Sequence, residues 1–181
     1  AWLWRLSSAH GSKGVLGDVG VHILDFATYP AGSIREVTCR LRAFPKAPGN
    51  RIGDYKLDAN DSALIQAEFT NGALGFIHTS RWIAGHPNRL FLKISGTLGT
   101  LEIDSERSTD SYRICAGGDV DTATWKEKTC RPVPTIYQKF ISAIRAPKLD
   151  ATPDFARGAE IQKVLDACFE SDSTRAPVRV K

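Results

Sequence analysis

The sequence contains no methionine, and its four cysteines include no pair at C-x-x-C spacing. A complete translation product begins with methionine, so the chain starting at Ala1 reads as a processed or truncated piece of something longer. Cys39, Cys115, Cys130 and Cys168 are too dispersed for a zinc site, and in a chain of 181 residues they suit reduced structural thiols better than a disulfide framework. We expect no metal and take cytoplasmic residence as the default. No apolar run is long enough to span a bilayer. Ala1 to Leu6 is apolar but far too short and lacks a signal peptide's organisation, so we read it as an interior strand and expect no membrane partner. Lys and Arg number 24 against 20 Asp and Glu, but they are scattered. The net charge of +4 therefore indicates no nucleic-acid face. Internal repeats and low-complexity tracts are lacking as well.

What is present is an ordinary globular balance, 42% hydrophobic and 24% charged, in a chain long enough to bury a substantial core. Its organising stretch runs from Gly17 to Gly32 and predicts a helix over 18–31, with Asp18 as N-cap, Gly32 at the C′ position and Pro30 in the last turn. Wound at helical pitch, Asp18, His22, Asp25 and Tyr29 form one polar stripe, and Val19, Val21, Ile23, Leu24, Phe26 and Ala27 cover most of the remainder. A helix apolar almost all round is buried, so two carboxylates and an imidazole on it need partners. Two readings are open. Asp18 orients the His22 ring and tunes its proton affinity in a site, or Asp18 merely caps and His22 is a core histidine.

Further along, Ile34 to Phe44 alternates as a half-exposed strand, with Val37, Cys39, Leu41 and Ala43 on one face and Glu36, Thr38, Arg40 and Arg42 on the other. Residues 45–56 are loop. Ser62–Thr70 and Ala73–Ile83 flank Asn71-Gly72, which predicts a hairpin with a type I′ turn. Arg89–Ser95 and Thr100–Asp104 follow across a turn at 96–99, and the four strands are expected to form one antiparallel meander. A weaker hairpin is expected from Tyr112–Ala116 and Thr122–Trp125. The period then changes. Ile136, Phe140, Ile141 and Ile144 mark one helix, Thr152-Pro153-Asp154 opens a longer one, and Ala176–Val180 suits an edge strand. Segregated elements of this kind make an α+β fold with an open, mostly antiparallel sheet and helices on one face. The later strands carry Leu74, Phe76, Leu90, Leu92 and Ile94, too apolar on both faces for a free surface, so we expect a homo-oligomer formed through the open sheet face.

Gly14-Val-Leu-Gly17-Asp18-Val-Gly20-Val-His22-Ile-Leu-Asp25 resembles the G-x-x-x-D-x-G-x-H-x-x-D signature of the Gfo/Idh/MocA oxidoreductases, whose members include glucose–fructose oxidoreductase and inositol dehydrogenase. Phe69-Thr-Asn-Gly72, Ser80-Arg81-Trp82, Ile94 to Leu101 and the tail from Pro134 to Ala167 fit the same family. Where it often has an acidic pair before the hairpin, this chain has Asp61 and then Ser62. The resemblance implies a single C-terminal domain over residues 1–181, cut at its N-terminus, from an enzyme whose N-terminal Rossmann domain binds NAD or NADP and supplies a lysine. That lysine works beside the aspartate and histidine. The glycines at 14, 17 and 20 are spaced G-x-x-G-x-x-G with no strand leading into them, so no dinucleotide fingerprint is found here. Carried over residue by residue, His22 and Asp18 are the implied catalytic pair, acting on a CH–OH group of a sugar or polyol. Arg81 and Trp82, at the end of a central strand, are candidates for the substrate pocket. Asp25 is a weaker one and more readily a structural residue. His78, His86, His10 and Tyr29 carry no assignable role. The alternative is a non-catalytic binding or oligomerisation module that retains the fold; the chain alone is expected to be inactive in either case.

Overall fold

The computed structural model describes residues 3–146 and 153–181. Within them the chain divides into two compact units, one built from residues up to Ala84 together with Phe155–Lys181, the other from the Gly85–Asp154 segment.

In the first unit the chain opens not as a strand but as two short 3-10 turns, Leu3–Leu6 and Ser8–His10. Their backbone is tied by loop contacts rather than by a sheet. The Asp58 carboxylate accepts the Ser8 N–H and hydroxyl (2.9 and 2.8 Å), which holds its pKa below the ordinary 3.8, and Leu6 O accepts the Ala59 N–H. Local polar partners therefore win over the apolar pattern. The main helix begins at Gly14, four residues before the expected cap, and passes through a π-helical turn, Leu16–Gly20, into α1, Val21–Ala31. Asp18 is thus inside the helix. The orphan N–H groups of the first turn are satisfied from elsewhere: Val15 N–H donates to Asn60 O (2.8 Å) and Leu16 N–H to Asn60 Oδ1 (3.0 Å). Pro30 lies in the last turn, and Gly32 ends the helix with φ +93°.

Strand β1 is Ile34–Arg42, the short pair β2 (Arg51–Ile52) and β3 (Tyr55–Lys56) lies in the following loop, and β4 (Ser62–Phe69) and β5 (Leu74–Ser80) form the hairpin. Only Gly72 of the Asn-Gly pair takes a positive φ (+85°), so the four-residue loop is not a type I′ turn. Gly72 N–H donates to Phe69 O, while Asn71 Oδ1 accepts the Ala73 N–H and its amide reaches Ala31 O. Asn71 is thereby held by the end of α1.

In the second unit β6 (Phe91–Gly96), β7 (Gly99–Asp104), β8 (Ser111–Ala116) and β9 (Lys126–Thr129) make a separate antiparallel sheet. Its last strand starts a residue beyond the expected segment. Helix α2 is Ile136–Arg145; α3, Phe155–Thr174, returns to the first unit, as does β10, Val178–Arg179. Thr152, expected to cap α3, lies outside the described residues.

The fold is α+β with open antiparallel sheets, as expected, but the meander is divided. The first sheet has the order β10-β1-β4-β5, which leaves β5 at its edge rather than in its centre. Residues 81–90, containing Gly85 and Pro87, form an exposed connection instead of a tight turn. Register follows the alternation: Val37 faces Ala67, Cys39 faces Ile65 and Leu41 faces Ala63. That face packs with Leu16, Leu24 and Ala27 of the first helix and Ile161, Val164, Leu165 and Cys168 of α3 in one core. Cys39 and Cys168 meet there as free thiols. The neighbouring Cys168 thiol lowers the pKa of Cys39, and the Cys39 thiol together with burial raises that of Cys168.

Candidate active site

The glycine at 20 lets the first helix approach β5: an added Cβ would lie 2.9 Å from Leu16 Cδ1 and 3.3 Å from Thr79 Cγ2. This close approach brings Asp18 to the residue that follows β5. Arg81 Nη2 donates to Asp18 Oδ2 at 2.5 Å, and Arg5 Nη1 lies 3.4 Å from Asp18 Oδ1. One carboxylate thus stands between two guanidiniums, all three side chains partly exposed (26% for Asp18, 31% for Arg81, 39% for Arg5). Sequence reasoning placed Asp18 and Arg81 separately; the fold joins them and adds Arg5, which carried no signal of its own. No hydrogen bond or ion pair joins Asp18 to His22. Instead His22 stands exposed on α1, its ring nitrogens making no hydrogen bond among the described residues.

Arg81 is fixed at its backbone as well. Its N–H donates to the carbonyl of Asp61 (2.9 Å), whose buried carboxylate pairs with Lys46 Nζ (2.6 Å) and accepts the Phe44 N–H (2.8 Å). The next residue, Trp82, is 55% exposed and meets Phe44 edge to face at 6.3 Å. Asp25 lies farther along α1, where Arg157 Nε donates to its Oδ1 at 2.7 Å and Arg157 Nη2 to Thr28 Oγ1 at 2.6 Å. That clamp ties α1 to α3 and engages the Asp25 carboxylate within the protein. Tyr29 is 81% exposed at the far end of α1. His78 is exposed on β5, His10 contacts Ser7 Oγ and stacks near Tyr55, and His86 pairs with Glu106. None of these three adjoins the Asp18 cluster through a hydrogen bond.

The family model for the GFO/IDH/MocA C-terminal domain matches residues 1–102. The chain belongs to that family. Levoglucosan dehydrogenase of Pseudarthrobacter phenanthrenivorans is 24% identical to it over 98% of this chain and 54% of the relative. A solved structure of a levoglucosan dehydrogenase, in complex with NADH and levoglucosan, is 24% identical and superposes with a TM-score of 0.84 over 98% of this chain and 53% of that one. An NAD-binding oxidoreductase from Klebsiella pneumoniae is 27% identical, with a TM-score of 0.80 over 99% of this chain and 54% of its own. The chain therefore spans about half the length of the relatives it matches, and it is the C-terminal domain of an oxidoreductase family.

The glycines of this GFO/IDH/MocA domain do not form a cradle for a dinucleotide. Gly14 packs on Asn60, where an added Cβ would meet the side-chain Cγ at 2.4 Å and the backbone carbonyl at 2.5 Å, and Gly17 lies against Lys13. The helix N–H donors that a pyrophosphate would need are already taken by Asn60. Among the described residues no group of three His, Cys, Asp or Glu side chains could hold a metal ion, and no helix is long and apolar enough to cross a membrane.

Proposed function

We propose that this chain is the catalytic, substrate-binding and oligomerisation half of an NAD(P)-dependent dehydrogenase that oxidises a CH–OH group of a sugar, polyol or related small molecule in the cytoplasm. The observation that carries this reading is His22, an unengaged and exposed imidazole one helical turn beyond Asp18, with Arg81 and Trp82 presented from the adjacent end of β5.

A neutral imidazole without an internal partner is free to accept the proton of a substrate hydroxyl. Asp18, held by Arg81 and Arg5, presents a fixed carboxylate beside that path. Arg81 keeps Nε and Nη1 free of hydrogen bonds among the described residues, and these are donors for substrate oxygens. Trp82 offers an apolar face on which a sugar ring can stack. Asp25 is a positioning residue in this scheme, since its carboxylate is engaged by Arg157. The nicotinamide cofactor would accept the carbinol hydride, and its seat lies in the half of the enzyme beyond this chain.

The test is made on the full-length protein. NADH and NADPH are titrated by fluorescence, then sugars and polyols are screened for reduced-cofactor production with the wild type and His22→Ala. We expect both forms to bind the cofactor and turnover to fall by about 10²–10⁴-fold in the variant. A folded full-length protein that binds neither cofactor would leave the non-catalytic module as the reading.

A further inference from the structure

We propose that the apolar face of α2 is the seat of the dinucleotide-binding half of the same polypeptide, an inference that rests on the two-domain reading above. Ile136, Tyr137, Phe140, Ile141 and Ile144 recur at i, i+1, i+4, i+5 and i+8, which places them in one stripe of the helix. All five are exposed, from 45% at Ile141 to 80% at Tyr137, and no residue of α2 is buried. The helix start is satisfied locally: the Thr135 hydroxyl accepts the Gln138 N–H, and the Gln138 side chain accepts the Thr135 N–H. Capping sets where the helix begins but does not stabilise ten residues in water, where isolated helices shorter than about 12–15 residues are marginal. The stripe needs a cover.

Length and area identify the cover. The matched relatives are nearly twice as long as this chain, which accounts for 53–54% of each. In the two-domain reading, a polypeptide of similar size to this one finds its contacts on it. A second copy of the chain suits the stripe poorly. Ten residues make a helix about 15 Å long and about 10 Å across, and such a face falls far below the roughly 800 Å² per partner of a standard interface. A tethered half needs no such area, because its effective concentration is of millimolar order. Exposed apolar side chains open to a second copy are present elsewhere as well, at Leu64, Leu74 and Phe76 of the first sheet.

Thiol labelling of full-length Phe140→Cys with a maleimide tests the assignment, with the exposed native Cys130 as the internal reference. The introduced thiol is expected to react about tenfold or more slowly than Cys130, at every protein concentration. Ile144→Cys provides a second position should the first variant fail to fold. Labelling as fast as Cys130 in a protein that binds NADH overturns the docking assignment and leaves the two-domain reading intact. Protection that fades on dilution gives the face to a second copy and overturns it too. Absence of cofactor binding by the folded wild type overturns both together.

Discussion

Single side chains in this domain act through partners far away in sequence. Asp61 shows this most clearly, being 1% exposed and joined to Lys46, the Phe44 N–H, the Arg42 carbonyl and the Arg81 N–H. It closes the loop after β1 and fixes the backbone that delivers Arg81 and Trp82. A buried ion pair adds little over an apolar replacement, but removing one partner strands the other charge. Asp61→Asn is therefore expected to destabilise the protein by about 3 kcal/mol, read as a lower urea midpoint with unchanged slope. A midpoint within error of the wild type would show that Lys46 finds water instead. Asp18 obeys the same logic at the surface. Its carboxylate takes the nearest guanidinium, Arg81, which the helical spacing of Asp18 and His22 gives no means of anticipating.

At the scale of elements, the first helix and β4 are coupled through a cap supplied in trans. Asn60 accepts the Leu16 N–H through Oδ1 and the Val15 N–H through its carbonyl, and its amide donates to Lys13 O. Most helices obtain this service from the residue just before them. Asn60→Ala is expected to cost about 1–2 kcal/mol, with Asn60→Asp falling between, since it keeps the acceptor and loses the donor. Urea unfolding of the three proteins gives the ranking, and equal midpoints would mean that the π-helical turn begins without this cap. The trans cap also explains why the helix starts at Gly14. With φ at +66° and Asn60 packed against its α-carbon, that position admits only glycine comfortably.

For the whole molecule, the outer face of the first sheet carries Leu64 (44% exposed), Leu74 (77%) and Phe76 (69%) opposite the covered face of the same strands. Large exposed apolar side chains on a sheet face, here interleaved with Gln66 and His78, mark association sites. Phe76→Lys in the full-length protein is expected to lower the molar mass measured by light scattering to that of a smaller assembly, with its circular dichroism unchanged. An unchanged mass would remove this face from the oligomer interface. The inner face, by contrast, is closed by α1 and α3, and the Arg157 clamp on Asp25 and Thr28 shows how polar groups there serve the packing of helices.

By itself the sequence determined the alternation of β1, the hairpin at Asn71-Gly72, the amphipathic period of α2 and α3, the end of α1 at Gly32 and the family signature around Asp18 and His22. Those features are local, because periodicity, turn chemistry and motif spacing are written within a dozen residues. The tertiary structure decided what depends on distant partners. The trans cap moved the helix start to Gly14, and loop hydrogen bonds turned Leu3–Leu6 into a 3-10 helix. Exposed residues 81–90 separated two hairpins that short-range patterning reads as one meander. The pairing of Asp18 with Arg81 belongs to the same class. It spans 63 residues of chain and forms because Gly20 lets the helix lie close to β5, a proximity that no local pattern encodes.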